Sequence, residues 1–130
     1  MRYEVIFRPF TERHFIRTFA KKYKGAWDKT LKGLVVEFTF AEVLFEKSIA
    51  ETICVSRDNG IRICKTEFKI AGPGKSRHAS GNRCIIALHK STATAHVLLV
   101  YSKGDIHGPN ETASWKTIIK DNYPEYRVLL

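Results

Sequence analysis

The chain has 130 residues, 44% apolar and 27% charged, with a formal net charge of +9. That length suits one domain with one sizeable core, and the composition is globular rather than disordered. No window approaches 18 uncharged apolar residues, which excludes a membrane-spanning helix, and the charged, alternating start MRYEVIFRPF is unlike a signal peptide, so a cytoplasmic location is expected.

Residues 2–8 read as a strand, with Tyr3, Val5 and Phe7 alternating against Glu4, Ile6 and Arg8. Pro9 ends it, and Thr11 is placed to cap the helix that follows. In that helix Phe15, Ile16, Phe19, Ala20 and Tyr23 recur at helical spacing, while Arg13, Arg17, Lys21 and Lys24 make the opposite stripe. Gly25 breaks the pattern. A second helical stretch runs from about Ala26 toward Ile49, with Trp27, Leu31, Leu34, Val35 and Phe38 on its core face and Val43, Leu44 and Phe45 continuing it. Residues 35–40 have strand composition in isolation, but no turn residues bound them, which favours helix.

Arg57-Asp58-Asn59-Gly60 is a turn signal, because Asn and Gly tolerate positive φ. In the strand after it Cys64, Thr66, Phe68 and Ile70 alternate with Lys65, Glu67 and Lys69. Ala71-Gly72-Pro73-Gly74 stops that strand and opens a basic loop. A strand over residues 83–90 follows, then a turn at Ser91-Thr92, then the most apolar run of the chain, Val97 to Val100. Such continuous runs belong to central strands covered on both faces. Gly104, Gly108 and Pro109 mark a loop, and a last helix from about Thr112 to Asp121 offers Trp115, Ile118 and Ile119 for packing. The predicted order is β-α-α-β-β-β-α in one α+β domain, a small mainly antiparallel sheet with packed helices, without repeats or linkers.

The charge is concentrated. Residues 1–24 hold seven basic and two acidic side chains, residues 56–90 eight and two, and the last 40 residues four of each. Two basic blocks of this kind point to an anionic polymer or an acidic partner. The three cysteines, Cys54, Cys64 and Cys84, form no CxxC pair and no metal spacing, and read as small buried hydrophobes of a reducing compartment. Gly72 to Gly74 lacks the pattern of a nucleotide P-loop. The cations of residues 61–103 stand at strand ends and in the loop between strands: Lys65, Lys69, Lys75, Arg77, His78, Arg83 and Lys103. A rigid sheet bearing them there can hold, and cut, a phosphodiester backbone.

The opening strand Tyr3-Glu4-Val5-Ile6-Phe7, the basic first helix with Phe15 and Phe19, the Gly81-x-Arg83-x-Ile85 strand start and the last core strand ending Val100-Tyr101-Ser102-Lys103 together resemble the RelE/ParE superfamily, the toxins of bacterial toxin–antitoxin modules. The resemblance covers roughly residues 1–106, with residues 107–130 as an added helical extension. It implies a compact α+β toxin. RelE-type members inhibit translation by cutting messenger RNA on the ribosome without metal or cofactor, through attack of a 2′-hydroxyl on the adjacent phosphate. ParE-type members instead poison DNA gyrase. In both, an acidic cognate antitoxin covers the toxin. By position, Arg83 matches the arginine facing the scissile phosphate and Lys103 the basic residue ending the last core strand. Lys69, Lys75 and Arg77 fall where the family supplies further cations. Tyr101 precedes the basic position, whereas the family's functional tyrosine commonly follows it.

The chemistry needs a proton acceptor, charge on the phosphorane and a proton for the leaving 5′-oxygen. Arginine suits the second role by its permanently charged fork, and lysine the others once neighbouring cations lower its pKa. The sequence-based expectation is a catalytic crowd of Arg83, Lys103, Arg77 and Lys69 with Tyr101. Around it, Arg13, Arg17, Lys21, Lys24, Lys65, Lys75 and His78 would contact RNA and ribosome. His89, His96 and His107 are given no role, Trp27 and Trp115 read as core anchors, and no metal site is expected. A ribosome-dependent endoribonuclease is the leading reading, beside a ParE-like gyrase inhibitor and a non-catalytic RNA- or protein-binding module.

Overall fold

The computed structural model describes residues 1–106 and 110–130; His107 and the expected loop residues Gly108 and Pro109 lie outside the described residues. Five strands, β1 (Glu4–Phe7), β2 (Ala50–Val55), β3 (Ile61–Phe68), β4 (Asn82–His89) and β5 (Thr94–Ser102), form one sheet in the order β1-β5-β4-β3-β2. β1 runs parallel to β5, and the other three pairings are antiparallel. The fold is α+β, as the sequence implied. The buried runs Asn82–Leu88 and Val97–Tyr101 put β4 and β5 at the centre, covered on both faces.

One face is covered by helix α1 (residues 9–22), helix α2 (Trp27–Thr39) and the short helix α3 (Ala41–Glu46). Pro9 starts α1 at a position where a missing N–H costs nothing. The middle of that helix, Glu12–Ile16, is wound as a π-helix. Phe19, Trp27, Leu34 and Phe38 pack on Cys64, Phe68, Cys84 and Ile86 of the sheet. The stretch Val35–Phe40 is helical through Thr39, and Phe40, at φ −116° and ψ 50°, separates α2 from α3 where one helix was expected.

The other face is covered by helix α4 (Glu111–Asn122) and a 3₁₀ turn, Pro124–Leu129. Trp115, Ile119, Tyr123 and Tyr126 are buried there against Ile63, Ile85, Ala87 and Leu99. The C-terminal extension thus supplies a second core on this face of the sheet. Alternation along β3 and β4 splits the two cores, with Cys64 and Cys84 facing one and Ile63 and Ile85 the other.

Two further corrections have local causes. β2 was not predicted as a strand. It is an edge strand with a bulge between Thr52 and Cys54, which breaks the period of two that reveals strands. Thr11 does not cap α1. Its buried hydroxyl lies 2.9 Å and 2.6 Å from the carbonyl oxygens of Val97 and Leu98 and 2.9 Å from Tyr123 Oη, tying α1, β5 and the C-terminal segment together. Thr11→Val keeps the shape and removes the hydroxyl's bonds, while Leu98 O keeps its bond from Tyr123 Oη at 2.8 Å, so we expect a loss of about 0.5–1.5 kcal/mol in urea unfolding.

At the β4–β5 turn the His89 and His96 rings lie against each other, centroids 4.5 Å apart and planes tilted by 53°, and His89 Nε2 lies 2.7 Å from Tyr126 Oη. Burial holds both imidazoles below their ordinary pKa; Arg8 adds to this at both, and His89 adds to it at His96. Glu125, paired with Arg8 at 2.7 Å, opposes the shift. With folded values below the unfolded ones, the unfolded chain takes up these protons first. This contribution to stability is complete above the ordinary histidine value of about 6.5 and is lost as pH falls from there through the folded values. Thermal melts at several pH values should show Tm falling toward acid, and less steeply in the double variant His89→Gln, His96→Gln.

Candidate functional site

Across the three central strands the register places Glu67 of β3, Arg83 of β4 and Tyr101 of β5 in one row. Directly opposed residues of antiparallel strands share a face. This row lies on the face that α4 covers, at the end where α4 begins. Arg83 is only 8% exposed, so its charge must be met from within the protein. Its Nη2 stands 3.5 Å from Glu67 Oε1 and its Nε 3.1 Å from Glu111 Oε2. Glu111 is in the first turn of α4, where the helix dipole favours a carboxylate. The same Glu111 oxygen accepts a 2.7 Å hydrogen bond from Tyr101 Oη. Burial, reinforced by that bond, pushes the Tyr101 phenol well above its usual range, so it stays protonated as a donor.

The loop between β3 and β4 brings His78 over the row. Its Nδ1 is 3.0 Å and 3.2 Å from the two Glu67 oxygens, and its side chain is almost wholly exposed. Lys65, one pleat along β3, is 3.8 Å from Glu51 of the edge strand. A carboxylate, an imidazole and a guanidinium thus meet at one open end of the sheet, with Lys65 adjacent. Counting Arg83 against Glu67 and Glu111, the row carries one net negative charge with His78 neutral and none with His78 protonated.

Of the expected crowd of Lys69, Arg77, Arg83 and Lys103, Lys69 and Arg77 lie on the other face of the sheet from Arg83. Arg77 makes a bidentate pair with Glu37 of α2, at 2.7 Å and 2.9 Å, on the helix side of the sheet and away from Arg83. Lys69 is exposed and lines a depression on that same side with Lys29 and Arg77. Lys103 is exposed in a 3₁₀ turn, its backbone N–H bonded to Gly81 O at 2.8 Å. It makes no ion pair among the described residues. The cause is carboxylate placement: each arginine folds onto an acid carried by a different element.

Arg13, Arg17, Lys21 and Lys24 are exposed on or just beyond α1, and Lys75 is exposed in the loop; none has an ion pair among the described residues. Burial raises all three cysteine thiols, that of Cys64 to about 12, which disfavours a thiolate nucleophile. Among the described residues no group of three His, Cys, Asp or Glu could hold a metal ion, and no helix is long and apolar enough to cross a membrane.

Sequence reasoning named Lys65, His78, Arg83 and Tyr101 but missed Glu67, Glu111 and Glu51. Glu67 carried one signal, as the single acid among the basic positions of its strand face. In comparisons with known proteins, no family model matches the chain, and neither a curated protein nor a solved structure matches it.

Proposed function

We propose that the protein is a RelE-like toxin that cleaves messenger RNA on the ribosome without metal, with an acidic antitoxin as its partner, and that its centre is Glu67, His78 and Arg83 rather than Arg83 and Lys103. The observation that carries this reading is the Glu67 carboxylate held between His78 and Arg83 at an open end of the sheet. In this scheme Glu67 removes the proton of a 2′-hydroxyl and the 2′-oxygen attacks phosphorus. The bond to the 5′-oxygen breaks as His78, in its imidazolium form, protonates it, leaving a 2′,3′-cyclic phosphate. Arg83, buried and paired with both Glu67 and Glu111, holds the Glu67 carboxylate in place, and Lys65 is the adjacent cation available to the non-bridging oxygens. The test is primer extension on a translated transcript. Glu67→Gln and His78→Ala should each reduce cleavage roughly 10²–10⁴-fold with unchanged Tm; full activity in both variants would remove this centre.

A second reading, an RNA-binding module that does not cut, is favoured by the net negative charge of the row and by the exposed cations of α1, Arg13, Arg17 and Lys21, which have no ion pair among the described residues. Retardation of RNA in a gel by the wild-type protein without cleavage selects it.

A further inference from the structure

Resting on the proposal that the protein acts on RNA, we infer that a depression on the opposite face of the sheet, at the same strand end as the candidate site, is a pocket for one unstacked nucleobase of a single strand. It measures about 380 Å³ and is lined by Tyr23, Ile70, Pro73, Lys75, Ser80 and Asn82. Asn82 opens β4 next to Arg83, so the pocket and the row share a strand end.

Three features fit a base. Trp27, Phe19 and Tyr23 form a run of near-parallel rings, with centroids 4.9 Å and then 6.0 Å apart and planes within 20°, leading from the core to the half-buried Tyr23 at the pocket. Lys22 Nζ stands 5.4 Å from the Tyr23 ring centroid, and a base extending the run would take that cation's place over the ring; stacking accepts any base. Asn82 is 4% exposed, and its Oδ1 is engaged by Ser102 Oγ at 2.7 Å. Its Nδ2 makes no hydrogen bond among the described residues, which leaves one amide donor for a base carbonyl or ring nitrogen. Lys75 lines the pocket without an ion pair among the described residues, as a phosphate contact requires. The far wall is fixed by backbone: Gly72 and Gly74, on either side of Pro73, have φ of +107° and +151°, values that L side chains rarely adopt.

The experiment measures fluorescence-anisotropy binding of a labelled single-stranded 2′-O-methyl hexanucleotide, which cannot be cleaved, and of the same strand with one abasic residue moved through it. Wild-type protein should bind the complete strand roughly 5- to 100-fold tighter than its weakest abasic version. Tyr23→Leu should abolish that difference, and Asn82→Asp, which keeps the Ser102 bond but buries a carboxylate and so lowers Tm, should reduce it when binding is measured well below the Tm of each variant. Lys75→Gln should weaken every strand alike. Equal binding of complete and abasic strands, or an undiminished difference in Tyr23→Leu, overturns the pocket. If transcript cleavage then still depends on Glu67, the pocket falls alone; if no strand binds, pocket and RNA reading fall together.

Discussion

Trp115→Ala is expected to destabilise the protein by about 3–5 kcal/mol, the range for deleting a large buried aromatic side chain. Trp115 has no exposed surface and sits among Ile63, Ile85, Leu99 and Tyr123 in the second core. Its indole N–H makes no hydrogen bond among the described residues, so the loss is of packing. The α4 backbone cannot collapse far into the space, because Ile119, one turn further along the same buried face, and Tyr126 are packed in the same core. Urea unfolding should show a lower midpoint with an unchanged slope, and Trp115→Phe should recover most of the loss. A cost under about 1 kcal/mol would mean that the C-terminal segment is dispensable and that this face of the sheet can stand uncovered.

Arg83→Met is expected to cost about 2–3 kcal/mol at neutral pH, somewhat below a fully buried pair because both carboxylates keep some exposure. Methionine replaces the aliphatic stem but leaves Glu67 and Glu111 facing each other without a cation. Adding Glu111→Gln should restore part of the loss, because one of the two uncompensated charges is then gone and an amide can still accept from Tyr101 Oη. Additive losses in the double variant would show that Arg83 and Glu111 are not coupled. Arg83 therefore has a structural duty whatever its part in chemistry, and an inactive Arg83 variant is read correctly only beside its melting curve. Glu67→Gln is the cleaner probe.

Much of the fold was legible because its signals are local. The alternation of Cys64, Thr66 and Phe68 with Lys65 and Glu67 became β3, and the apolar run at Val97 became a central strand. The stripe of Phe15, Ile16 and Phe19 became the buried side of α1, although Ala20 is exposed. β2 escaped because a bulged edge strand loses its period. Thr11 escaped because nothing near it in sequence announces a hydroxyl destined for the carbonyls of Val97 and Leu98. At the site, the cations were visible as an excess in one block. Their partners were not, because Glu37 reaches Arg77 across 40 positions and Glu111 reaches Arg83 across 28. Pairing of that kind is decided by strand register and by where α4 starts, and neither is written in composition.

The parallel pairing of Glu4–Phe7 with Thr94–Val97 joins segments about 90 positions apart. During synthesis the first strand waits without its neighbour until β5 has left the ribosome, and Trp115 arrives later still. A nascent chain therefore holds an incomplete sheet until β5 has emerged, and the row at Arg83 is finished only once the helix bearing Glu111 has docked.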